Sequence, residues 1–254
     1  MCTVSIVARR SGYLLAMNRD EQRTRARALP PKHFLSHGRS VISPSEPGGG
    51  TWISLNDARV TFALINWYSI KARVTGLPRS RGEIVNAVNS RTSPDEAAQI
   101  LGQLPLKRIN PFRLIGVFPA TKQIVEWRWD LKTLSRKNHS WTTRQFISSG
   151  FDEPRAQRVR GKTFRHALRA KTSGTLDWLR RLHRSHAPET GPFSTCMHRA
   201  DAQTVSCTEI LVSASRAQMR YYDGPPCEAA ISEPLMQTNP RRLKIRKVAC
   251  NSAQ

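Results

Sequence analysis

The chain has 254 residues, 39% of them apolar, so it can bury one sizeable core and is too apolar to be disordered. Its net charge of +23 would attract nucleic acid or anionic membrane non-specifically, but its 31 arginines and 10 lysines are scattered from Arg9 to Arg246. The densest basic stretches lack the stacking aromatics of a single-strand reader, so no specific nucleic-acid partner is expected.

Residues 2–8 (CTVSIVA) and 13–17 (YLLAM) are β-branched and apolar runs around the turn signal Ser11-Gly12, which predicts an opening hairpin. The charged stretch 18–27 and the Pro30-Pro31 punctuation follow, and residues 44–50 (PSEPGGG) read as a loop. Residues 51–55 and 60–65 flank the turn dipeptide Asn56-Asp57 and predict a second hairpin, beside the first in one sheet. Gly48-Gly49-Gly50 precedes a strand, not a helix, so it points to tight turning or close backbone approach and not to a phosphate loop.

The period then changes. Residues 82–88 and 94–104 show helical spacing, the second opened by Ser93 as N-cap, Pro94 at the first helical position and Glu96 three residues after the cap. Strands are predicted at 112–118, 123–129 and 145–148, helices at 155–170 and 174–185, and final strands at 204–212 and 218–222. These elements make one layered α/β domain with mainly antiparallel sheets over residues 1–240, and the basic tail 241–254 is expected to fray.

No run approaches the ~20 uninterrupted apolar residues of a membrane span, and no leader of basic, apolar and small segments opens the chain. A cytoplasmic location is the expectation. The cysteines are Cys2, Cys196, Cys207, Cys227 and Cys250, an odd and widely spaced set that argues against a disulfide framework. His183, His186, Cys196 and His198 make a superficially zinc-like group, but their order and gaps match no common structural site, so neither metal nor other cofactor is expected.

Cys2 is the most chemically suggestive residue. Removal of Met1 would place a thiol and a free α-amine on one residue, and an amine with a reference pKa near 8 can take the thiol's proton. A nearby cation would favour the thiolate. A Met-Cys start also reads as incidental, and Arg19, Asp20 and Glu21 also read as a solvated turn.

The first 66 residues carry Met1-Cys2-Thr3, Asn18-Arg19-Asp20-Glu21, Gly49-Gly50-Thr51-Trp52-Ile53 and Leu64-Ile65-Asn66. Ser80-Arg81-Gly82, Cys196-Met197-His198-Arg199, Asp201-Ala202, Thr204-Val205-Ser206 and Tyr221-Tyr222-Asp223-Gly224-Pro225-Pro226-Cys227 follow in order. The combination resembles the NRDE family, which includes the transport and Golgi organisation protein 2 group. The resemblance implies an N-terminal nucleophile hydrolase-like fold: a four-layer αββα sandwich with two mainly antiparallel sheets. By analogy with bile-salt hydrolases and penicillin V acylases, which resemble it in pattern, it implies Cys2 as nucleophile, Arg19 and Asp20 as its support, and Asn66 in an oxyanion hole. Glu21 is an alternative for the Asp20 role. Glu21, Trp52, Trp67, His198 and Arg199 are the implied substrate-binding residues. The second oxyanion Asn of the acylases has no counterpart at Ser148-Ser149-Gly150, where a backbone N–H of Ser149 or Gly150 would have to substitute.

Two function classes follow. The first is a cysteine amidohydrolase acting on a non-peptide carbon–nitrogen bond of a small acyl amide. The second is a non-catalytic pocket protein for an anionic, partly apolar ligand such as haem or an acyl or lipid molecule.

Overall fold

The computed structural model describes residues 2–228 and 236–238. The chain opens with β1 (Cys2–Arg9) and β2 (Gly12–Gln22), continues through β3 (Leu29–Ser36), β4 (Arg39–Ser45), β5 (Ile53–Asn56) and β6 (Thr61–Asn66), and enters α1 (Gly82–Val88) and α2 (Pro94–Gln103). Strands β7 (Phe112–Phe118), β8 (Gln123–Trp129), β9 (Leu134–His139) and β10 (Arg144–Ser148) follow, then α3 (Glu153–Ala167), α4 (Leu176–Arg184), β11 (Ala202–Val212), β12 (Ala217–Asp223) and β13 (Met236–Thr238). The tail 241–254, with Cys250, lies outside the described residues.

The strands form two antiparallel sheets, in the orders β10-β1-β2-β11-β12-β13 and β3-β4-β5-β6-β7-β8-β9. Alternation explains how they stack. Val4, Ile6, Tyr13, Leu15 and Met17 of the first sheet meet Ile42, Ile53, Leu55, Ala63 and Ile65 of the second in the central core. The opposite face of the first sheet, with Val7, Leu14 and Ala16, is covered by Phe164 of α3 and Trp178, Leu179 and Leu182 of α4. Phe62, Leu64, Leu114 and Trp127 on the outer face of the second sheet pack against Ile84, Val85 and Val88 of α1 and Ala97 and Leu101 of α2. The result is the expected αββα arrangement.

Local chemistry sets several boundaries. Ser93 Oγ accepts the Glu96 N–H at the start of α2, Asp152 accepts that of Arg155 at α3, and Thr175 accepts that of Trp178 at α4. Gly12 turns the first hairpin at φ +146°, and a Cβ there would stand 2.1 Å from the Val212 carbonyl oxygen, so only glycine fits.

Three expectations need correction. The two opening hairpins do not share a sheet: β1-β2 belongs to the first and β5-β6 to the second, so they face each other. The charged stretch after Met17 is not a turn, because β2 runs on to Gln22, and Arg19 and Asp20 are buried. Residues 29–45 form the β3-β4 hairpin at one sheet edge, where Pro30 and Pro31 are tolerated in an irregularly paired strand.

His183 of α4 is a core histidine that bonds Ser5 Oγ and Asn18 Oδ1, both at 2.9 Å, and Asn18 donates back to the His183 carbonyl. Burial, with the charge of Arg160, pushes its pKa down from 6.5 to about 3. The folded chain therefore keeps it neutral while the unfolded chain protonates it below about pH 6.5. Its contribution is complete above that pH and is lost as pH falls toward 3. Between pH 7 and pH 5 the loss should be about 2 kcal/mol. A His183→Gln variant should lack this increment in urea unfolding at the two pH values, and an unchanged pH dependence would contradict the assignment.

Candidate active site

Because the two hairpins face each other, their ends enclose a cavity of about 380 Å³ between the sheets. Cys2 begins β1, opposite Arg19 on β2 and Ser148 on β10. Trp52 leads into β5, and Asn66 ends β6. Cys2, Arg19, Asp20, Glu21, Trp52 and Asn66 all line this cavity, although as many as 64 positions separate them. Its rim is built by two of the sequence blocks in contact. A Cβ on Gly82 would lie 2.6 Å from the Thr51 nitrogen and 2.7 Å from Gly50 Cα, so Gly49-Gly50-Thr51 and Ser80-Arg81-Gly82 pack backbone to backbone. This is the close approach expected of the triple glycine.

The charges are arranged as an interlocked set. Arg19 Nη2 donates to Glu46 Oε1 at 2.8 Å, lies 3.6 Å from Glu21 Oε2, and stacks its guanidinium 4.5 Å from the Trp52 ring centroid. Arg25 donates to both oxygens of Glu46, at 2.9 and 2.7 Å. Arg79 and Arg81 add two more guanidiniums to the wall, and burial holds the Arg81 pKa below its usual value. Burial pushes the Cys2 thiol up; the chain's N-terminal ammonium and, less strongly, Arg19 oppose the rise without prevailing, while Asp20 and Glu21 reinforce it.

Asp20 follows strand alternation onto the other face of β2. Its carboxylate accepts from Thr204 Oγ1 at 2.7 Å and from Arg160 Nη1 of α3 at 3.2 Å, and Arg160 Nη1 also donates to Thr3 Oγ1 at 2.7 Å. The next residue on the Arg19 face is Glu21. Asn66 donates from Nδ2 to the Tyr68 hydroxyl at 2.8 Å.

Three residues expected to bind substrate stand elsewhere. Trp67 lines a different cavity with Arg113, Arg128 and Phe146. Arg199 pairs with Asp201 at 2.7 Å and stacks over Phe151. His198 faces Cys196 and Cys227. In each case extended-chain proximity to a motif was a poor guide to the direction of the side chain. Conversely, Glu46, Arg25, Arg81 and Asn110 line the site without having been singled out. Only Arg81 lay in a quoted block; the others carry no local signal.

Solved structures with a similar fold include two of conjugated bile acid hydrolase from Clostridium perfringens. One is a cysteine-to-alanine mutant at 10% identity, with 88% of this chain and 92% of that chain covered and a TM-score of 0.53. The other is an arginine-to-leucine variant at 9% identity, with 87% and 89% covered and a TM-score of 0.53. Penicillin V acylase from Agrobacterium tumefaciens aligns at 9% identity over 88% and 86% of the chains, with a TM-score of 0.48. No curated protein sequence matches significantly. The fold is that of N-terminal nucleophile hydrolases. Residues 1–221 match the family described as Transport and Golgi organisation 2, and the chain belongs to that family.

Proposed function

We propose that the protein is a cysteine N-terminal nucleophile hydrolase that cleaves the carbon–nitrogen bond of a small, non-peptide acyl amide. The observation that carries this reading is the placement of Cys2, Arg19, Trp52 and Asn66 on one cavity at facing ends of the two sheets. Removal of Met1 frees the Cys2 α-amine, which accepts the thiol proton. The sulfur attacks the carbonyl carbon, and the carbonyl oxygen takes up the electron pair. Collapse of that intermediate expels the amine, which leaves with the proton returned by the α-ammonium. Water then hydrolyses the thioester and restores the thiol.

The other residues divide the remaining work. The Asn66 carboxamide has two N–H donors, one engaged with Tyr68 and one for the developing oxyanion. Arg19, held by Glu46 and Trp52, offers a fixed positive field beside the sulfur. Asp20 is a positioning residue, gripping the end of β2 through Arg160 and Thr204. Arg81, beside Arg25 and Arg79, which Glu46 and Glu83 partly neutralise, favours a substrate with an anionic group next to its acyl part.

Amine release from a panel of N-acyl amides, with and without an acidic group, tests the proposal. Acidic members should be preferred, and Asn66→Ala should reduce kcat by about 10²–10³ while the fold persists. No release from any member, or release undiminished in Asn66→Ala, would contradict it.

A further inference from the structure

Outside the cavity, the fold collects a second set of reactive side chains from three distant segments. His186 follows α4, Cys196 and His198 lie on the turn-rich connection before β11, and Cys227 sits in the turn after β12. Their metal-binding atoms all lie within 4.8 Å of one another. Cys196 Sγ is 3.5 Å from Cys227 Sγ and 3.6 Å from His198 Nε2, and Cys227 Sγ is 3.4 Å from His198 Nε2. His186 packs edge-on against His198 with ring centroids 5.0 Å apart, and its Nε2 is buried with no hydrogen-bond partner.

These distances are informative. A tetrahedral zinc ion with Zn–S near 2.3 Å and Zn–N near 2.0–2.1 Å needs ligand atoms roughly 3.3–3.8 Å apart. Three edges already fall in that range, and the others are no longer than 4.8 Å. Ordinary packing would bury the Cys196 thiol but gives no reason for four donors to converge, or for a buried imidazole nitrogen to lack a partner. The donor set of two thiols and two imidazoles is that of a closed structural site, with no position left for a substrate.

We propose that His186, Cys196, His198 and Cys227 bind one zinc-class divalent cation. The grouping considered from sequence contained His183, which the structure places in the core, and omitted Cys227, which is 29 residues from His198 in sequence. On loading, Cys196 and Cys227 each release a proton to solvent, and the two thiolates neutralise the dication. The ion pins residues 186–198 to the end of the first sheet. Within that segment the Met197 N–H donates to Thr204 Oγ1 at 2.9 Å, and Thr204 in turn donates to Asp20, so the metal braces the residues behind Cys2. The assignment stands whether or not Cys2 is a nucleophile.

The test uses the full-length protein, reduced, stripped with a chelator and titrated with cobalt(II). The expected result is one equivalent bound, with thiolate charge-transfer absorption in the near ultraviolet and the intense visible bands of tetrahedral cobalt, both displaced by zinc. Cys227→Ser and His186→Ala should lose or shift these bands, whereas Cys207→Ser, a buried thiol outside the cluster, should keep them. Chelation should lower the Tm of the parent chain and leave that of Cys227→Ser unmoved. Octahedral or absent absorption in protein shown to be folded by circular dichroism would overturn the proposal. So would unaltered bands in Cys227→Ser, or a Cys196–Cys227 disulfide recovered in place of metal.

Discussion

Replacing Cys2 with Ser is expected to leave the protein folded and to slow acyl transfer by at least about 10³-fold, as loss of a nucleophile does in related chemistry. The side chain opens β1 at one end of the central core, and the exchange removes little volume, so the hairpin with Arg19 and Ser148 should survive. A hydroxyl is a far poorer nucleophile than a thiol when the only base is an α-amine. Arg19→Ala should act differently. It removes one of the cations that oppose the upward shift of the thiol and leaves Glu46 with Arg25 alone, so it should blunt turnover without abolishing it. Equal losses in both variants would mean that Arg19 holds the structure together and does not tune the sulfur. Progress curves at saturating substrate, with circular dichroism as the folding control, separate these outcomes.

Arg160→Met is expected to cost about 3–5 kcal/mol, because it removes the cationic partner of a buried carboxylate. Arg160 and Asp20 are both fully buried, and Arg160 also ties Thr3 of β1 and the Pro192 carbonyl to α3. For a chain of this length that loss lowers Tm by on the order of 10 °C. Adding Asp20→Asn should recover part of it, since the charge that Arg160 balanced is then removed as well. Thermal unfolding of the single and double variants checks the sign of the coupling. A double variant less stable than Arg160→Met would show that Asp20 is held chiefly by Thr204.

Much of the fold was legible because its strands are apolar runs bounded by clear turns. Residues 112–118 and 123–129 form β7 and β8 as read, and α1 spans 82–88 as its spacing implied. The elements that escaped are polar for identifiable reasons. Strand β9 is a largely exposed edge with the sequence Leu-Ser-Arg-Lys-Asn-His, and β3 is the other edge, so neither shows a buried face. The end of β2 is harder still. Asn18, Arg19 and Asp20 look like a solvated turn, yet each is buried against partners far along the chain: His183 and Thr195, Glu46, and Arg160.

The candidate site shows the same division. Cys2, Arg19, Trp52 and Asn66 were recognisable because they sit in compact blocks at strand ends, and those ends meet. Glu46 and Arg160 were invisible because each acts through an ion pair closed by the tertiary fold. Trp67, His198 and Arg199 stand away from this cavity because neither membership of a sequence block nor adjacency to one fixes which way a side chain points. The Cys196 and His198 block belongs to a separate cluster whose last member, Cys227, joins only when β12 has folded alongside β11.

The most direct measurement of the central claim is intact and peptide mass spectrometry of the purified protein after brief incubation with an activated acyl ester or amide. The expected product is a chain that has lost Met1 and carries a single acyl group on Cys2, with Cys196, Cys207 and Cys227 unmodified, and no adduct in Cys2→Ser. Met1 retained in front of Cys2, or label spread evenly over the cysteines, would contradict it.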